Sequence, residues 1–189
     1  INHDGQNREV RYRVPNKNQC KECHTTNEVI SPIGPKARNL DKDFIYFDET
    51  KNQLTYLYEK GVINSMPKGF KKVSDWEDEA ESLEGRARAY LAINCGHCHM
   101  PSGVANSTGL YLNLSETRSI NLGINKSPVA TGRGSGNLKY SIVPGKSEKS
   151  ILLFRMISTD PGVMMPESGR SLVHKEAVLL IEEWINSMK

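Results

Sequence analysis

A mainly α protein of two unequal lobes is what this sequence of 189 residues predicts. Three observations carry that expectation. Apolar residues recur at helical spacing in several stretches. The pentapeptide Cys-x-x-Cys-His occurs twice, as Cys20-Lys21-Glu22-Cys23-His24 and Cys95-Gly96-His97-Cys98-His99, and uses all four cysteines. After each copy the order is the same: irregular loop, helix, a loop with Met-Pro, helix. The expected division gives a first lobe with an N-terminal arm over 1–80 and a second lobe over 81–189.

The elements follow in order. Residues 1–19 are polar, and the alternation Val10-Arg11-Tyr12-Arg13-Val14 reads as a short strand. Ile30-Ser31-Pro32-Ile33-Gly34-Pro35 is too rich in turn residues to be regular. A helix is expected over Lys51–Lys60, capped by Thr50 and ended by Gly61, with Leu54, Leu57 and Tyr58 at i, i+3, i+4. Ser74-Asp75-Trp76-Glu77 has the form of a capping box. It opens an acidic helical stretch to Asn94 with a break near Gly85, and Leu83, Ala87, Tyr90, Leu91 and Asn94 share one face. This helix delivers Cys95. The span 101–145 is a Gly/Ser/Asn-rich insert carrying the strand-like pieces Leu110-Tyr111-Leu112 and Tyr140-Ser141-Ile142-Val143. Helix resumes near Glu148, N-capped by Ser147, with Ile151, Leu152 and Phe154. The last helix, Lys175 to Met188, repeats apolar residues at Ala177, Leu180, Ile181, Trp184 and Met188.

Cys-x-x-Cys-His is the spacing of a c-type haem attachment site. Two thiols add across the vinyl groups of the porphyrin, and the adjoining histidine reaches the iron. Zinc sites pair their Cys-x-x-Cys units about 15–20 residues apart, whereas 71 residues separate Cys23 from Cys95. A thioredoxin-like pair belongs in a βαβ pattern, and neither copy sits in one. Neither alternative requires histidine after the second cysteine. The sequence therefore predicts two covalently attached haem c groups, held by Cys20, Cys23 and His24 and by Cys95, Cys98 and His99.

Composition agrees. Hydrophobic residues make up 37% and aromatics 7%, with a mean hydropathy of −0.54, so two lobes have little apolar material of their own for a core. Two macrocycles would add that surface. The formal charge of +3 is more than offset by haem propionates, and the scattered lysines form no basic face for nucleic acid. No apolar run approaches the roughly 18 residues of a membrane span.

The iron positions opposite His24 and His99 need partners or stay open. For the second haem the candidates are Met164 and Met165, and Met165 is preferred because a residue before proline has an extended, restricted backbone. For the first, Met66-Pro67 is the local candidate and His3 the alternative. His24 and Met66 are 42 positions apart, and His99 and Met165 are 66 apart, the difference lying in the insert. His97, between its two cysteines, is expected to point away from its own iron, and His174 to cap the last helix or face solvent. Arg133, Arg155 and Arg170 are candidates for pairing with propionates.

The order of elements matches the class I cytochrome c plan. The run Ala89-Tyr90-Leu91-x-x-Asn94-Cys95-Gly96-His97-Cys98-His99, then Gly109-Leu110-Tyr111-Leu112, Pro144-Gly145-x-Ser147-x-x-Ser150-x-Leu152-x-x-Arg155, Met165-Pro166 and Trp184-Ile185, resembles the haem domain of planctomycete-type cytochromes c. That resemblance covers roughly residues 83–189. It implies an all-α cytochrome c fold with Cys95, Cys98, His99 and Met165 around the second haem. The front portion, Tyr12-Arg13-Val14-Pro15-Asn16 through Cys20 and Ile33-Gly34-Pro35-Lys36, is similar to a poorly characterised family of exported bacterial cytochrome-like proteins. No amphipathic helix precedes Cys20, where the class I plan has one.

The function expected is electron transfer between redox partner proteins, in the periplasm, at the cell surface or in the extracellular space, since haem is attached to this motif outside the bacterial cytoplasm. A start at Ile1 fits a processed or excised chain. Three rivals stand beside this reading: a dihaem peroxidase-like enzyme or small-molecule reductase with one open iron, a subunit of an extracellular haem filament, and an electron-donating domain of a larger oxidoreductase.

Overall fold

In the computed structural model, residues 1–3 and 5–189 are described, with His3 as backbone only, so the expectation for the His3 imidazole lies outside the described residues. Three small antiparallel hairpins occupy the first third. They are β1 (Asn2–His3) with β2 (Gln6–Asn7), β3 (Thr25–Thr26) with β4 (Val29–Ile30), and β5 (Asp43–Ile45) with β6 (Thr50–Asn52). Six α-helices accompany them among the described residues: α1 (Lys17–Cys23), α2 (Ala37–Leu40), α3 (Gln53–Glu59), α4 (Leu83–Asn94), α5 (Ile151–Ile157) and α6 (Lys175–Ser187).

The expectation of a mainly α protein of two class I cytochrome c-like lobes is corrected here. Helix takes 32% and strand 10% of the chain, a small mixed α/β fold. The physical reason is where apolar surface is buried. The core consists of Ala87, Tyr90, Leu91, Leu112, Ile142, Leu153, Met156, Ala177, Leu180, Ile181, Trp184 and Ile185, all from residue 87 onward. Within residues 1–80 the one buried apolar side chain among those described is Leu54, while Val14, Val29, Ile30, Phe44, Ile45 and Phe47 are exposed. A first lobe without a core of its own has no driving force to form.

α4 and α6 pack against each other, as their periodicity requires. Ser82 caps α4, its hydroxyl accepting from the Gly85 N–H at 3.1 Å, and the helix runs through Gly85 without a break. Trp184 of α6 donates its indole N–H to Glu84 of α4, tying the two helices across their polar edge. α5 closes the third side of the core through Ile151, Leu153 and Met156.

Some expected elements shift. Val10–Val14 forms no strand, since no other strand pairs with it among the described residues. The helix expected from Lys51 begins at Gln53, because Thr50–Asn52 is taken up in β6 and Asn52 caps the helix instead. Residues 110–112 form no strand, and 140–143 make isolated bridges in place of one, Ile124 with Ile142 and Tyr140 with Ser150. No described helix is long and apolar enough to cross a membrane.

Candidate haem-attachment sites

The second pentapeptide sits where α4 ends. The Cys95 N–H donates to Leu91 O at 2.9 Å as the helix cap, and His99 N–H donates to Cys95 O at 2.9 Å, so one further turn carries the motif. Glycine is required at position 96: a Cβ there would lie 2.8 Å from Ala92 O and 3.1 Å from Asn113 Cα. The segment is thereby pressed between α4 and the insert, and burial pushes the Cys95 thiol up. Leu112 N–H donates to His99 O at 2.8 Å, which anchors the insert to the motif.

His99 is mostly enclosed, and burial holds its imidazole below the ordinary range, with Leu110 of the insert acting in the opposite direction and Arg155 adding to the depression. Its Nδ1 is buried without a hydrogen-bond partner. An unmet buried ring nitrogen costs free energy that a ligand can relieve. Two thiols for the porphyrin vinyl groups and an imidazole for the iron, all from one pentapeptide, are also the groups a haem c site uses, so the residues present fit the group.

The Met165 loop reaches the same neighbourhood. Met165 N–H donates to Arg155 O at 3.1 Å, and Arg155 Nε donates to Val163 O at 2.8 Å, fixing the loop against α5. Glu167, two residues past Met165, lies 3.8 Å from Arg155 Nη2 and its charge bears on Cys98. Arg155 thus touches the loop while its charge bears on His99. Met164 is buried and Met165 partly so. Arg170 donates to the carbonyls of Met156 (2.7 Å) and Ser158, and Arg133 pairs with Asp160 at 2.8 Å, so both guanidiniums have protein partners. His174 stands at the N-cap position of α6 without a capping hydrogen bond from its side chain, shares a hydrogen bond with Tyr90 Oη at 3.2 Å and packs edge-on to Trp76.

The first pentapeptide lies on α1, capped by Asn16 with Gln19 in a reciprocal box, and His24 is its C-cap. α1 buries no residue. Cys20 and His24 are exposed and Cys23 is half-buried. Met66 is 39% exposed, and among the described residues its loop makes no hydrogen bond to this motif.

What sequence reasoning did not anticipate is that the two motifs touch. Cys23 Sγ, Cys98 Sγ and a ring nitrogen of His97 lie within 4.8 Å of one another. Cys98 Sγ is 3.8 Å from Glu22 O, Asn27 N–H donates to Ser102 O at 3.2 Å, and Thr26 bridges to Gly103. Hydrogen bonding to Cys98 and then to His97 pulls the Cys23 thiol down, and Cys98 is pushed up in turn. A ring nitrogen of His97 lies in this seam, and its Nδ1 is buried and unpartnered. A cleft of about 170 Å³ opens beside it, lined in part by Cys23, His97, Ile33 and Met100. Contacts spanning more than seventy positions through backbone groups leave no pattern in a sequence; the apolar-free α1, which needs something to lie against, was the available hint.

Comparison with protein-family models, with curated proteins and with solved structures finds no match.

Proposed function

We propose that the chain is a dihaem c-type cytochrome that carries electrons between redox partner proteins outside the cytoplasm, related to the planctomycete-type cytochromes its second half resembles. The observation that carries this reading is the pentapeptide itself, present twice and using every cysteine. Cys20, Cys23 and His24 would hold one haem, and Cys95, Cys98 and His99 the other. Each thiol would join a vinyl group by addition, sulfur to one carbon and hydrogen to its neighbour, a bond that needs no oxidant. When bound, each haem supplies a one-electron ferric–ferrous couple.

The rest is the work of the chain. Met165 would supply the thioether at the second site, its backbone held by the Arg155 carbonyl, with Arg155 Nε fixing Val163 two residues before it. Met66 serves the first site. Leu110 of the insert lies beside His99, where its carbonyl can take the ring proton that orients a ligating imidazole. An alkaline pyridine spectrum of the purified holoprotein tests the reading: two c-type haems per chain are expected, and their absence overturns it.

A second reading rests on the exposure of Met66. A first iron without that thioether has an open position, and the chain then binds or reduces a small molecule there. Carbon monoxide binding by one of the two ferrous haems, with a high-spin ferric component, distinguishes this enzyme-like case.

A further inference from the structure

We propose that Cys23 and Cys98 bring the two prosthetic groups edge to edge across the motif seam, making one electronically coupled pair; this rests on the dihaem reading above. Each of these residues is the second cysteine of its pentapeptide, so each carries the corresponding thioether of its own macrocycle. Their sulfurs lie within 4.8 Å of each other and of a His97 ring nitrogen. A thioether sulfur is one carbon removed from the porphyrin rim, so sulfurs this close leave room for little more than van der Waals contact between the two rims at that corner.

The seam is built rather than incidental. On one side of the sulfurs, Cys98 Sγ approaches the Glu22 carbonyl at 3.8 Å. On the other, Asn27 N–H donates to Ser102 O and Thr26 bridges to Gly103. Gly103 has no room for a side chain, since a Cβ would lie 2.8 Å from the Cys98 carbonyl carbon and 2.9 Å from His97 O. His97 fills the junction from the second motif, its Nδ1 shut off from solvent. Pairing by these backbone groups also explains how a segment with no core of its own keeps a defined place. Its position is set by the second motif.

The same atoms could be read as a thiolate–imidazole site for a soft metal ion in a haem-free chain. The two uses exclude each other, because a sulfur engaged in a thioether is no longer a thiolate.

The test uses the intact holoprotein. Haem is first counted by the alkaline pyridine spectrum. Low-temperature electron paramagnetic resonance is then recorded fully oxidised and poised at half-reduction. Coupling predicts that the fully oxidised sample shows broadened, shifted signals, because each ferric centre feels its neighbour. Half-reduction makes the neighbour diamagnetic where it is ferrous and low-spin, and sharp signals of an isolated ferric haem then emerge. Two haems whose oxidised spectrum is a plain sum of two isolated centres, losing intensity on reduction without changing shape, overturn the proposal and leave the dihaem reading standing. A count below two overturns both.

Discussion

The backbone N–H of Asn27 donates to the carbonyl of Ser102 at 3.2 Å, tying the chain just past the first Cys-x-x-Cys-His to the chain just past the second. Through this bond and the neighbouring Thr26–Gly103 bridge, a segment that buries almost no apolar surface borrows its position from one that does.

Gly103 is the most constrained point of that seam. Gly103→Ala forces a methyl group onto the Cys98 carbonyl. Overpacking of this kind costs about 1–3 kcal/mol. The expected outcome is a lower unfolding midpoint in thermal melts of the holoprotein, with loosened spectra at both haems. An unchanged midpoint would show that the seam does not hold the two motifs together.

Arg155 is predicted to matter more than Arg133. Arg155→Met leaves the Val163 carbonyl without its donor, at about 1–3 kcal/mol for an unmet buried group. It also frees the Met165 loop, so the methionine–ferric absorption band weakens. Arg133→Ala removes an exposed pair with Asp160, worth about 0–1 kcal/mol, and leaves the band intact. Melts and oxidised spectra of the two variants give the comparison.

The two thioethers are separable by the same band. Met165→Ala is expected to remove about half its strength and Met66→Ala the other half, as one methionine closes each iron. Full strength in Met66→Ala would give the first site to another ligand, and a band lost entirely in Met165→Ala would do the same.

Acid stability should follow Glu116. This buried carboxylate accepts from Arg118 Nε and Nη2 at 2.9 Å each, from Asn121 Nδ2 at 2.9 Å and from the backbone N–H groups of Thr117 and Arg118, while its backbone carbonyl takes a 2.8 Å bond from buried Arg88. Arg118 foremost, then Asn121, holds its carboxyl well below the usual range. A depressed carboxylate contributes stability above its unfolded value, about 4.3 for Glu, and that contribution is lost as pH falls through the lower folded value. Unfolding midpoints measured against pH should therefore drop in the acid limb for the wild type, and the drop should be shallower in Glu116→Gln.

Helices were legible in the sequence where tertiary burial gives them a face. The apolar stripe of α6 and the run Ala87, Tyr90, Leu91 of α4 point into the core as their spacing requires. α1 was not legible, because it buries nothing and carries no stripe; its one local signal is the reciprocal cap of Asn16 and Gln19. Ser74-Asp75-Trp76-Glu77 looked like a helix start, yet Ser74 folds back so that its Oγ meets Glu81 at 3.1 Å, and the helix begins only after Ser82. The donor residues of both candidate sites are plain in the pentapeptides. Their meeting in space is made by backbone hydrogen bonds, to which side-chain patterning is blind.

Whether the chain is a dihaem cytochrome is decided by the alkaline pyridine spectrum of the holoprotein set against its protein concentration. Two haem c per chain are expected, with the absorption maximum of haem joined through two thioethers. A chain purified from a host that attaches haem, yet carrying none, would contradict it.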